Sequence, residues 1–164
     1  MKSKVHILLP DIRSAYNVGS IFRSADCFGT EKIYLSGTTP TPLDRFGRSN
    51  SGAQKEISKT ALGAEKDIPW EYVLDVNLFL KKMKKEKFSI VCIEQDKKSI
   101  TLDNFIKIKN QEKINNLLVI FGNEVEGVKK TILKKADYIV EIPMKGKKES
   151  LNVSVCAGLI MYVL

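Results

Sequence analysis

Apolar residues along this chain fall into two rhythms. Short unbroken apolar runs, Val5 to Leu9 closed by Pro10, Lys32 to Leu35, Phe88 to Ile93, Leu117 to Phe121 and Tyr138 to Ile142 stopped by Pro143, read as buried strands, with a shorter one over Trp70 to Leu74. Between them the apolar positions repeat at helical spacing. Val18, Ile21, Phe22 and Ala25 predict a helix from Asn17 to Phe28, with Asn17 as N-cap and Gly29 as stop, whose other face carries Ser20, Arg23, Ser24 and Cys27. Further helices are predicted from about Ser49 or Asn50, over Leu78 to Lys87, over Val128 to Lys135 and over Asn152 to Leu164. Strands alternating with helices predict an α/β fold on a mostly parallel sheet, and strands apolar on both faces agree with a sheet covered on both sides. Ligands of such sheets bind outside the carboxyl ends of the strands, so the chemistry should lie in the segments just after them.

The last helix is unusual. Val153, Val155, Cys156, Ala157, Leu159, Ile160, Met161, Val163 and Leu164 leave almost no polar face, which predicts burial within the molecule or against a partner subunit.

Composition narrows the classes. The 164 residues read as one domain, 1–164, with no second domain expected; 43% are hydrophobic, enough for a core. No run approaches the ~18 apolar residues of a membrane span, and the N-terminus lacks a secretory pattern. The 3 cysteines are widely spaced with no CxxC, and there is 1 histidine, so neither a disulfide scaffold nor a metal site is expected, and the cytoplasm is the natural compartment. The formal charge is +8, from 27 basic against 19 acidic residues, which favours polyanionic partners. The loop Pro40 to Gly52, with Arg45, Phe46 and Arg48, is the candidate for contact with such a partner.

Three segments after strands carry candidate chemistry. Tyr16 to Arg23 places Arg23 off the apolar face, where a guanidinium can grip phosphate or form a surface salt bridge. Phe121 to Gly127 (FGNEVEG) is neither a Walker loop nor GxGxxG, so ordinary dinucleotide binding has no support; its acidic residues should sit at the entrance of the helix near Val128. Ile142 to Gly146 leads through Glu149, Ser150, Leu151 and Asn152 into the last helix, where Ser150 or Asn152 can also serve as caps. With a single histidine, His6, in the first strand, a Ser-His-Asp or Cys-His triad is not supported.

Together these segments resemble the SpoU/TrmH family of RNA 2′-O-ribose methyltransferases in the SPOUT superfamily. The first motif of that family is matched by Asn17, Gly19, Ile21 and Arg23, the second by Gly122, Glu124 and Gly127, and the third by Ile142 to Met144 and Ser150 to Ser154. The Asn17-Val18-Gly19-Ser20 run lacks the N-T-G-N form of minimal wobble-base enzymes, so the ribose-methylating branch fits better. The resemblance implies a C-terminal trefoil knot, a homodimer, and S-adenosylmethionine held without metal by Gly122, Ile142, Met144, Ser150, Leu151 and Asn152, with Ile93 and Glu94 on the adenosine side. It implies catalysis by Arg23, with Asn17, Glu124, Ser150 and Asn152 framing the site, and transfer or ribosomal RNA as substrate, contacted by Arg23, Arg45 and Arg48. The rival expectation is a knotted RNA-binding module that has lost catalysis; the presence of Arg23, Glu124, Ser150 and Asn152 argues for the enzyme.

Overall fold

Neighbouring residues of the most central apolar run belong to different cores. In the computed structural model, which describes residues 4–44, 46–49 and 52–164, strand β6 (Asn116–Phe121) sends Leu117, Val119 and Phe121 to one face of the sheet and Leu118 and Ile120 to the other. Side chains alternate along a strand, so a strand covered on both faces has no polar position to spare.

The order is β1 (Lys4–Pro10), α1 (Ala15–Phe28), β2 (Lys32–Ser36), α2 (Gly52–Ala61), α3 (Ala64–Asp67), β3 (Trp70–Val73), α4 (Val76–Lys85), β4 (Ser89–Ile93), β5 (Ile100–Thr101), α5 (Leu102–Glu112), β6, α6 (Lys130–Leu133), β7 (Tyr138–Glu141) and α7 (Val153–Val163). The seven strands lie in the order β3-β2-β1-β6-β4-β7-β5, and every strand pair is parallel. The core over one face takes Val18, Ile21, Phe22 and Ala25 of α1, Phe105 of α5, and Val153, Ala157, Ile160 and Met161 of α7. The opposite core takes Phe79, Leu80 and Met83 of α4 and Ile132 of α6. In parallel register Leu8 meets Ile120, and Ile93 meets both Phe121 and Val140. The segments after β1, β4, β6 and β7 therefore leave the sheet along one rim. Among the described residues no helix is long and apolar enough to cross a membrane.

Several elements differ from the sequence reading. Helix α1 starts at Ala15, and its cap is Ser14, whose hydroxyl accepts from Asn17 N; Asn17 lies in the first turn with its side chain available elsewhere. Gly29, at φ 73°, ends the helix as expected. Helix α6 has one turn rather than spanning Val128 to Lys135. The reading passed over α5, although Leu102, Phe105 and Ile106 stand at helical spacing behind a Thr101 cap. Helix α7 is not buried all round. Val153, Ala157, Ile160 and Met161 form its buried stripe, while Val155, Leu159 and Tyr162 are exposed.

Close approach between helices fixes α1. A Cβ at Gly19 would run into Thr60 Oγ1 and the Ile57 carbonyl of α2, so this position admits no side chain. Gly158 of α7 lies over Ser24, and the Phe28 and Tyr162 rings meet edge-on with centroids 5.6 Å apart. Lys109 of α5 donates to the Leu164 carbonyl at 2.8 Å, closing the far end of α7.

Substituting Gly19→Ala should destabilise the fold by roughly 1–3 kcal/mol, because the clash is with backbone that cannot yield cheaply. Urea unfolding measures it; an unchanged midpoint would mean that α2 moves freely relative to α1.

Candidate active site

The segment after β6 folds back on itself. Asn123 and Gly127 exchange backbone hydrogen bonds of 3.1 and 2.9 Å, and the Asn123 Oδ1 accepts from Val125 N (2.8 Å) and Glu126 N (3.1 Å). This turn explains both glycines of the FGNEVEG run. A Cβ on Gly122 would strike the backbone of Gly127 and Val128, and Gly127 has φ 66° with its α-carbon against the Glu94 carboxylate. Asn123 Nδ2 donates to the Asp11 carbonyl. Asp11 itself, at φ 56°, accepts from Thr38 N (3.1 Å) and pairs with Lys129 at 2.8 Å, so the ends of β1, β2 and β6 are pinned together. The Lys129 contact holds the Asp11 carboxyl below its ordinary range.

Glu124 does not serve the helix that follows it. Its carboxylate turns to the amino end of α1, accepting from Arg13 N (2.9 Å), Ser14 N (3.2 Å) and Asn17 Nδ2 (2.9 Å). Two of these donors are main-chain N–H groups at and just before the N-cap of α1 and the third is a first-turn side chain, so the carboxylate sits at the positive end of the helix, where an anion is stabilised. Partial burial opposes its charge, but the hydrogen bonds from Arg13, Asn17 and Ser14 outweigh that, and its pKa is lowered.

A chain of fixed polarity follows. An ionised carboxylate only accepts, so it takes the amide NH2 of Asn17. The Asn17 Oδ1 is then left to accept from Asn152 Nδ2 at 3.2 Å, and the Asn152 Oδ1 accepts from Ser154 N (2.8 Å) and Ser154 Oγ (2.7 Å) at the start of α7. One charge thereby orders residues from all three motifs and the amino ends of two helices.

A cavity of about 520 Å³ opens at this rim. Its wall includes Ile93, Glu94, Gly122, Ile142, Met144, Ser150, Leu151 and Asn152, the whole set expected to hold a cofactor, together with Glu124. Glu94 ties two of the bounding segments, accepting from Gln95 N (2.9 Å) and Val128 N (2.6 Å), and Gln95 Nε2 donates to the Glu149 carbonyl at 2.6 Å. Cys156 also faces the cavity, but burial pushes its thiol up to about 11, so it is protonated at neutral pH and a poor nucleophile. Carboxylates of Glu94, Glu124, Glu141 and Glu149 border the space, and among the described residues no lysine or arginine does. Lys147 and Lys148 line a neighbouring cavity that shares Gln95, Glu141, Ile142, Met144 and Glu149 with it, so basic residues stand just beyond this carboxylate-bordered space.

The remaining candidates lie elsewhere. Asn17 reaches the cavity through Glu124 and Asn152 without lining it. Arg23 is exposed on α1, six residues beyond Asn17, which is about 9 Å along the axis and about 120° around it; it does not line its own chain's cavity. Arg48 is engaged within its loop by Asp44 at 2.8 Å. Arg45 lies outside the described residues. Sequence reasoning missed Asn123, Arg13 and Gln95, whose roles come from backbone groups and long-range contacts with no local signature.

A parallel α/β sheet with a cavity at the carboxyl rim of its strands belongs to the class of folds that place their ligands there. Within that class the chain belongs to the SpoU rRNA methylase family, whose model matches residues 4–162. It is 28% identical over 156 residues to YacO of Bacillus subtilis, a protein assigned to the TrmH family of tRNA/rRNA methyltransferases, covering 95% of this chain and 56% of that one. Its fold matches an AdoMet-bound rRNA methyltransferase of Sinorhizobium meliloti with a TM-score of 0.83 at 21% identity, over 99% of this chain and 56% of the other. It also matches an RNA 2′-O ribose methyltransferase with a TM-score of 0.78 at 20% identity, over 99% and 56%. The chain spans little more than half the length of the curated relatives it matches.

Glu124→Gln keeps the shape and removes the charge, and should lower stability at neutral pH by on the order of 1 kcal/mol. A lowered carboxyl pKa stabilises the fold above the ordinary glutamate value of about 4.3, and that contribution is lost as pH falls through the lower folded value. The stability gap between parent and variant, followed by urea unfolding, should therefore close on acidification. A gap that stays at its neutral-pH size throughout acidification would separate Glu124 from this role.

Proposed function

We propose that this protein transfers a methyl group from S-adenosylmethionine to a ribose 2′-hydroxyl of structured transfer or ribosomal RNA, as a single cytoplasmic catalytic unit working as a homodimer. The observation that carries this reading is the convergence of the three motif segments on one acidic cavity through the Glu124–Asn17–Asn152 chain. Membership of the SpoU rRNA methylase family and the activities named for the structural neighbours support it.

The cavity fits such a donor. Its volume of about 520 Å³ lies within the usual range of small-molecule sites. Ile93, Phe121, Ile142 and Leu151 offer apolar surface for a purine ring, and the carboxylates complement an ammonium and a sulfonium. Gly122, where a side chain has no room, lets backbone approach a ligand closely. The reading includes the trefoil knot of this fold, the segment 142–152 being threaded past the segment after β4, where Gln95 meets Glu149.

A bound donor would supply a methyl group already activated by its positive sulfur, for in-line transfer to the ribose O2′ with the hydroxyl proton lost to phosphate or water. What the protein must add is alignment and a way to make the hydroxyl nucleophilic. Ser150, Leu151 and Asn152 shape the wall on which the reacting groups meet, and Asn17 and Glu124 hold Asn152 in one orientation. Arginine stays charged in proteins, with a pKa above about 12, so Arg23 serves as a cation that grips phosphate and polarises the hydroxyl rather than as a free base.

That cation must come from outside. One chain's cavity has no basic lining among the described residues, and its own Arg23 is not part of the wall. Helix α7 meanwhile exposes Val155 at 56% and Tyr162 at 74%, beside Phe28 of α1. Pairing these faces would bury that apolar stripe and bring Arg23 of one subunit toward the cavity of the other.

Calorimetry should detect S-adenosylmethionine binding, and tritiated methyl should enter bulk RNA as 2′-O-methylnucleoside. Arg23→Ala should leave donor affinity near normal and reduce methyl transfer by roughly 100-fold or more. Unchanged turnover would remove Arg23 from the mechanism, and donor binding without transfer by the unaltered protein would favour a binding module. Mixed dimers of Arg23→Ala and Asn152→Ala subunits should regain activity that neither parent shows. A monomer in sedimentation at micromolar concentration would overturn the shared site.

A further inference from the structure

The segment after β2 carries a feature that the donor cavity does not use. Asp44 builds a tight knuckle: its Oδ1 accepts from Phe46 N (2.8 Å) and Arg48 N (2.9 Å), and its Oδ2 holds Arg48 Nε and Nη2, each at 2.8 Å. Backbone bonds of 2.9 Å from Asp44 N to the Arg48 carbonyl and from Gly47 N to the Asp44 carbonyl close it, with Gly47 at φ 75°. At its crest Phe46 is 65% exposed, and the Arg48 guanidinium carbon lies 4.8 Å from the ring centroid. The ring is thus held out from the core by its loop, and the Arg48 guanidinium is paired with Asp44.

The base of the loop is fastened to the catalytic rim. Buried Thr39 donates to the Leu9 carbonyl (2.7 Å) and accepts from Ile12 N (2.9 Å), and Gln54 Nε2 donates to the Thr41 carbonyl (3.2 Å). In strand order β2 is followed by β1 and then β6. At about 4.8 Å per strand, the root of the loop is roughly 10 Å from the segment that forms the cavity floor. Between them, after β1, lies Arg13. Its backbone N–H is committed to Glu124, while its side chain is exposed and forms no ion pair among the described residues.

We propose that Phe46 is a stacking platform for an unpaired nucleobase of the RNA substrate, and that Arg13 holds a phosphate between that base and the methylated ribose. The proposal rests on the RNA methyl-transfer reading and assigns its substrate path. Every nucleobase has a π-face, so an aromatic ring binds one with little regard to sequence. A ring already fixed by a locked turn loses little freedom on binding. Arg48 contributes to RNA contact as the planar cation stacked beneath the ring. An unpaired strand running along the rim from this loop toward the cavity would pass Arg13, which follows β1 between them.

Fluorescence anisotropy with labelled bulk transfer RNA tests this on the full chain. Phe46→Ala should weaken binding roughly tenfold or more, Phe46→Trp should keep it within about twofold, and Phe46→Leu should behave like the alanine variant. Arg13→Gln should lower the slope of log K against log salt by about 0.7, the share of one phosphate on a single strand, which Phe46→Ala should leave alone. Donor affinity by calorimetry should stay constant in all four. Unchanged binding by Phe46→Ala, or a leucine as good as phenylalanine, would overturn the platform. An unaltered protein that binds S-adenosylmethionine and ignores RNA would overturn the underlying reading as well, and the two failures are distinguishable.

Discussion

The site depends on where one carboxylate points. Glu124 sits in a turn after the central strand, yet it spends its charge on the first turn of a helix more than a hundred residues earlier in the chain. That helix end would otherwise present donors with no partner. Once the carboxylate takes the amide of Asn17, each later group in the chain has only one role left: Asn17 accepts from Asn152, and Asn152 accepts from Ser154. The orientation of the wall of the cavity is thus a consequence of a single anion. Residues remote in sequence become mutually dependent without any of them touching by accident of packing.

Charge is distributed in two layers. Basic residues outnumber acidic ones overall, yet the cavity at the sheet rim is bordered by carboxylates. Such a division suits a protein that admits a small cation to its interior and meets a polyanion on its outside.

Small residues do distinct work at separate places. Gly19 lets α2 approach α1, whereas Gly122 and Gly127 let a turn close on itself against Glu94. Neither role concerns flexibility; each removes a side chain from a space already filled. The apolar character of α7 has a double origin as well. Half of it packs on α1 and the sheet core, and the other half is left facing outward.

Much was legible in the residues alone. The unbroken apolar runs over Leu117 to Phe121 and Phe88 to Ile93 announced a sheet covered on both faces, because a two-sided strand tolerates no polar alternation. The helix carrying Val18, Ile21, Phe22 and Ala25 was set by its period and by Gly29, and the motif segments were placed after strands because parallel sheets put their ligands there. Local pattern has no access to groups that act at a distance. It assigned Asn17 to a cap that Ser14 fills, gave Glu124 to the wrong helix, passed over Arg13, and had no access to the ion pair that holds Arg48 against Asp44. Only the tertiary structure decided these, since strand order, not chain order, determines which turn meets which helix end, and a hydrogen-bonding group takes the partner that folding brings to it.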